Sequence, residues 1–192
     1  MIAGHFGFAA SVKARESAVP LWALMLATVF LDVLFVPLFL SGIETAAPAE
    51  GMAPGYGHLV IHADYTHSLV GAVLLSALFG WAGAMLWTRR AGVVLALVVF
   101  SHWVLDLIVH RMDMPILPGD WGNLPRLGLG LWQWPWIAAA IEALLVVVGA
   151  WLYWRAAAGL PGTSQSRARV VGLLVLLGGA ATLALDFTGV LG

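Results

Sequence analysis

The chain has 192 residues, 61% hydrophobic and 10% charged, with mean hydropathy +0.94 and a formal net charge of −1. A soluble domain of this length needs far less apolar surface to fill a core, so the composition points to one integral membrane domain over residues 1–192. The near-zero charge and the lack of a cationic run exclude a nucleic-acid partner. The absence of cysteine excludes disulfides, thiolate nucleophiles and thiolate metal sites, which leaves His and carboxylate to hold any metal.

In chain order, residues 1–12 (MIAGHFGFAASV) are apolar but too short to cross a bilayer, and they predict a half-inserted N-terminal helix. Five later stretches approach the roughly 20 apolar residues that a spanning helix needs. They are 18–41, 65–88, 91–110, 134–154 and 170–190. The first has signal-peptide features, with Lys13 and Arg15 ahead of it and Ala47, Pro48 and Ala49 behind. Its length, Asp32 and Pro37 favour a retained span. Arg89, Arg90 and Gly92 mark a tight turn between the second and third spans, and residues 111–133 form a long loop rich in Pro and Gly.

Lys13, Arg15, Arg89, Arg90, Arg155, Arg167 and Arg169 all fall on one side of these spans. The loops 44–62 and 111–133 fall on the other, where the only cations are Arg111 and Arg126, both in the second loop. The positive-inside rule then places the N-terminus in the cytoplasm and the C-terminus outside. Trp87, Trp132, Trp134, Trp136, Trp151 and Trp154 gather near span ends, as interfacial anchors do.

Ionisable groups inside spans are costly and are functional candidates. Here they are Asp32, His67, His102, Asp106, Glu142 and Asp186. Measured from the flanking cations at about 1.5 Å per residue, Asp32, His102, Asp106 and Glu142 lie roughly 18–25 Å along their spans, in one outer layer. A bundle builds a metal site in this way, from side chains on facing helices. His102 and Asp106 share a helix face, and His110 continues it one turn on. Such imidazole and carboxylate donors suit Zn, Mn or Fe(II). His62, Asp64 and His67 come just before and at the start of the second span, and a doubled-back N-terminal helix brings His5 toward the same layer. Asp64 and Glu142 are the carboxylates able to take a proton from water or to orient an imidazole.

Plainer roles compete at several positions. One intramembrane His or Asp is often only a helix–helix hydrogen bond. Glu142 fits a partner of a neighbouring His or Arg as well as it fits a ligand. Asp186 fits a packing contact, His58 a solvated loop residue, and the LWQWPW stretch an interfacial anchor. Gly71, Gly80 and Gly83 fit close helix packing.

An early His5, an Asp32 in the first apolar run, His62 with Thr66-His67-Ser68, and Ser101-His102 with Asp106 together resemble the LexA-regulated inner-membrane metal-dependent hydrolases (YdjM-like), over about positions 1 to 130. That family is distantly similar to zinc-dependent phospholipase C and the single-strand-specific zinc nucleases, helical enzymes with His/Asp metal clusters. The resemblance implies that Asp32, His67, His102 and Asp106 hold one metal, zinc first, with His5, His62, His110 and Glu142 as contributors to a second. The chain departs from the family at HADYTHS, where Arg-Gly usually follows the first His, and this bears on the substrate more than on the metal.

The expectation is an all-α, polytopic membrane helix bundle with a short N-terminal half-helix, acting as a metal-dependent hydrolase on a phosphoester of a lipid or lipid-like substrate near the outer leaflet. The loop 111–133, with Arg111 and Arg126 near its Trp-rich exit, is expected to form a lid that receives the phosphate. The competing expectation is a non-enzymatic membrane protein: a proton or divalent-metal relay, a transporter, or a structural subunit binding haem or quinone. Few polar residues in the cytoplasmic halves and no detectable internal repeat weigh against transport. The one-turn spacing of His102 and Asp106 weighs against haem. Oligomeric state is left open.

Overall fold

The computed structural model describes residues 1–51, 57–159 and 164–188. In chain order the helices are α1 (Ile2–Lys13), α2 (Leu21–Thr28) and α3 (Phe30–Leu40). A hairpin of β1 (Thr45–Pro48) and β2 (Leu59–His62) follows, and then α4 (Leu69–Leu86), α5 (Arg89–Val109), α6 (Pro135–Ala158) and α7 (Gln165–Phe187). The helices α4 to α7 are each long and apolar enough to cross a membrane, and α2 with α3 reaches that length only when the bent pair is taken as one span. The chain is therefore an all-α membrane bundle, as its composition implies. The predicted end of the last span, Val190, and residues 160–163 of the loop before it lie outside the described residues.

Helix boundaries follow local chemistry. The Ser68 hydroxyl accepts from the Gly71 amide and Thr88 from Ala91, so each caps its helix. The second span thus begins at Leu69, and His67 sits in the turn ahead of it. Small residues then let backbones touch. A methyl group on Gly92 would lie 2.4 Å from the Gly80 carbonyl oxygen, and one on Gly149 would lie 2.0 Å from that of Gly7. Without a hydrophobic drive between helices in lipid, such close approach gives association its packing energy. Leu78, Trp81, Leu97, Leu144 and Leu174 remain exposed on the outside, where lipid solvates them.

The expected short N-terminal helix is present, and one feature departs from the expected spans. The N-terminal helix is held deep in the bundle: Ala3, Gly4, His5, Gly7, Ala9 and Ala10 of α1 are buried. The first span is not one helix. It bends by 49° between α2 and α3 at Val29, whose φ is −117°. The cause is a competition for one carbonyl. In a continuous helix the Thr28 C=O accepts from the amide four residues on; here it accepts from His102 Nδ1 at 2.7 Å, and the helix restarts with Val33 N–H donating to Val29 O. Pro37, the residue in this span best known for breaking helices, stays inside α3.

The end of the bundle away from the cation-rich turns is capped. The β1–β2 hairpin, where the sequence pattern suggests only loop, pairs antiparallel from Thr45↔His62 to Pro48↔Leu59. Its strands are four residues each, too short to display a period of two. The 111–133 loop folds against this region. Leu69 and Val70 donate backbone hydrogen bonds to the Pro115 and Ile116 carbonyls, and Gly119 donates to that of Asp64.

Candidate metal centre

Beneath this cap, α1, α3, the turn before α4, and α5 converge on a cluster of His5, Asp32, His67, His102 and Asp106. His102 Nε2 lies 3.0 Å from Asp106 Oδ2 and 3.5 Å from Asp32 Oδ1. His67 Nε2 lies 3.5 Å from Asp32 Oδ1, 3.7 Å from Asp106 Oδ2 and 3.1 Å from His102 Nε2. His5 Nε2 lies 3.1 Å from the other oxygen of Asp106, and its ring stacks on His102 with centroids 3.9 Å apart. Two overlapping triads result, His5–His102–Asp106 and Asp32–His67–His102, both sharing His102 and both close enough to hold an ion.

The outer nitrogens of the rings fix which way the lone pairs point. His102 Nδ1 faces the Thr28 carbonyl, which can only accept, so Nδ1 carries the hydrogen and the Nε2 lone pair faces the cluster. His67 Nδ1 lies 2.8 Å from Thr66 Oγ1, which lies 2.9 Å from Glu44 Oε2. The carboxylate takes the single hydroxyl hydrogen, so Thr66 accepts from His67 Nδ1–H and the His67 Nε2 lone pair also faces inward. Glu44 is itself fixed by the Tyr65 and Thr66 amides, both 2.8 Å from Oε1. Trp103 Nε1 donates to the His67 carbonyl, and Thr28 Oγ1 donates to that of His5. The His67 and His102 rings are thus each oriented by a partner behind them, as second shells orient metal ligands.

Four acceptors, His67 Nε2, His102 Nε2, Asp32 Oδ1 and Asp106 Oδ2, therefore point at one another in a largely buried site. A proton on His102 relieves only part of this; a cation satisfies all four. Tetrahedral donors about 2.0–2.1 Å from a zinc ion stand about 3.3 Å from each other. Each imidazole Nε2 stands 3.0–3.7 Å from both carboxylates and from the other imidazole, close to that value. Two carboxylates with neutral imidazoles match a divalent charge. The residues fit a metal.

The cluster opens on one side. The Asp32 side chain is 34% exposed, whereas those of His5, His67, His102 and Asp106 are at most 7% exposed. Asp32 borders a cavity of about 490 Å³ that His5, His67, Asp106 and His110 also line. Val36 and Phe39 of α3 line it too and are exposed on the lipid-facing side of the bundle.

The remaining sequence candidates stand apart from the cluster. His62 is exposed at the end of β2, 3.4 Å from Arg126. Asp64 pairs with Arg126 at 3.3 Å. Glu142 is buried and accepts the Gly4 amide at 2.9 Å, which anchors the start of α1 to α6. His110 ends α5 and bonds Asp113 at 3.0 Å, so it faces the cavity as a His–carboxylate pair one turn outward of Asp106. His58 is buried and lines the cavity, where the sequence suggests a solvated loop. The 111–133 loop does cover this end, but the two arginines expected to receive a phosphate are engaged elsewhere. Arg126 is tied to Asp64, Asp120 and the Asp113 carbonyl, Arg111 donates to the Gly57 carbonyl, and neither lines the cavity.

Glu44, Asp113 and Thr28 escape the sequence reading. Glu44 and Asp113 sit in loops, where carboxylates are ordinary, and Thr28 contributes through its carbonyl, which no side-chain pattern records. Thr66 is legible only as part of the T-H-S run. No family model matches the chain, and no curated protein or solved structure matches it either.

Proposed function

We propose that the chain is a membrane-embedded, zinc-dependent hydrolase that cleaves a phosphoester of a lipid or lipid-like amphiphile. The observation that carries this reading is the pair of inward-facing imidazole lone pairs, each within 3.0–3.7 Å of the Asp32 and Asp106 carboxylates, in a site open at Asp32 beside a cavity that borders lipid through Val36 and Phe39. A divalent ion there would supply Lewis acidity, activating water and polarising a phosphoryl oxygen. Asp32, the most exposed of these four side chains, would be the ligand to yield its place to the attacking water and then hold that water by a hydrogen bond. His110, held by Asp113, presents its other ring nitrogen to carry a proton to the leaving oxygen. Asp113 is fixed in turn by the hairpin, whose Ile61 amide lies 3.5 Å from Oδ2. The resemblance to YdjM-like hydrolases and the side on which the cations gather add that the site faces the outer leaflet of an inner membrane, with the N-terminus cytoplasmic.

A relay or transporter needs a polar route to the cation-rich end. Among the described residues the hydroxyls along that route are spent on backbone: Thr28 on His5 O, Ser76 on Ala72 O at 2.6 Å, and Thr88 on the Ala91 amide. Hydrolysis is therefore favoured.

The test is metal content by mass spectrometry of detergent-purified wild type and of a His102→Ala/Asp106→Ala variant, followed by phospholipid hydrolysis in vesicles. Near-stoichiometric zinc that the folded variant loses, with zinc-dependent ester cleavage, is the expected result. A wild type that stays metal-free after reconstitution with zinc sinks the reading and leaves the layer as a packing or proton network.

A further inference from the structure

Away from the His/Asp centre, α6 and α7 leave an apolar groove of about 400 Å³ between them. Val147, Trp151, Trp154, Leu173 and Leu176 line its walls, and Gly172 keeps its floor low, since a methyl group there would lie 3.2 Å from Trp154 Cβ. Arg169 is the one charged residue lining it. From Arg169 to Leu176 the groove follows α7 for about 10 Å, enough for the upper part of an acyl chain. Arg155 and Arg167 flank the same end and are exposed, with the Arg155 guanidinium 4.8 Å from the centre of the Trp151 ring.

These arginines have no local counter-charge. The sequence has no Asp or Glu between Glu142 and Asp186, and among the described residues none of the three forms an ion pair. A second copy of this face would bring like charges together, which opposes self-association. An anionic headgroup above an apolar slot satisfies both ends of the groove, as basic pockets between transmembrane helices do.

We propose that the α6–α7 groove binds one anionic glycerophospholipid of the surrounding bilayer, with an acyl chain in the slot and the phosphate against Arg169, Arg155 and Arg167. The experiment is native mass spectrometry of the detergent-purified full chain, titrated with phosphatidylglycerol and phosphatidylethanolamine of identical acyl chains. Wild type is expected to retain phosphatidylglycerol about tenfold better. Arg169→Ala should bring that preference below about twofold, and Val147→Trp, which fills the slot from an exposed position, should abolish retention of both lipids. Both substitutions sit at exposed sites, and unchanged circular dichroism confirms the fold. Equal retention of the two lipids by wild type, or wild-type preference in Arg169→Ala, overturns the proposal. So does a dimer by light scattering that Val147→Trp converts to monomer, because it puts a second copy in the groove.

Discussion

Replacing Thr66 with Val removes one hydroxyl and almost no volume, and it tests the chain of hydrogen bonds that aims the His67 lone pair. Thr66 Oγ1 receives the hydrogen on His67 Nδ1 at 2.8 Å and passes its own to Glu44. Without it, nothing holds that hydrogen on Nδ1 and the ring is free to carry it on Nε2, the atom that faces His102 and Asp32. Losing such a partner behind a metal-ligating His costs about 10–100-fold in metal affinity, or about 1.4–2.7 kcal/mol. Glu44 keeps its two backbone amides, so the turn itself should hold. Zinc affinity is read by competition with a chromophoric chelator in detergent, well below the unfolding temperature. Thr66→Val should bind zinc at least about tenfold more weakly, while Thr66→Ser, which keeps the hydroxyl, should stay close to wild type. Wild-type affinity in Thr66→Val refutes the assignment of the His67 hydrogen, and with it the argument that two imidazole lone pairs converge.

Other outcomes follow from the same geometry. His110→Gln should slow hydrolysis of an alkyl phosphodiester about 100-fold or more while leaving a p-nitrophenyl phosphodiester within a few-fold, because the nitrophenolate needs no proton to leave; equal losses on both esters would remove His110 from proton transfer. Gly7→Ala sets a methyl group 2.4 Å from the Leu145 carbonyl oxygen and should lower stability by about 1–3 kcal/mol, seen as a reduced thermal midpoint. The same variant should weaken zinc retention if α1 carries His5 into the centre, and full zinc with a lowered midpoint would confine α1 to a structural role. Arg126→Ala frees Asp64 and Asp120, so hydrogen exchange in the 111–133 loop should quicken with little change in KM for an anionic lipid; a large rise in KM would restore that arginine to the substrate.

The membrane class, the spans α4 to α7 and the cations at one end were legible in the sequence. Each rests on local composition over about 20 residues, which is what bilayer thickness imposes. The common layer of Asp32, His102 and Asp106 was also legible, because helical rise converts sequence number into depth. Rotation about each helix axis, and the choice of neighbour, are decided by packing. So the sequence could not tell His102, aimed into the cluster, from His110, turned to Asp113, although both continue one face. It could not separate Glu142, a tether for α1, from a ligand, nor show that loop residue Glu44 stands behind His67. The break at Val29 was hidden for the same reason. It exists because a ring 74 residues away takes the Thr28 carbonyl, and a hydrogen bond between distant segments leaves no mark on the composition of either.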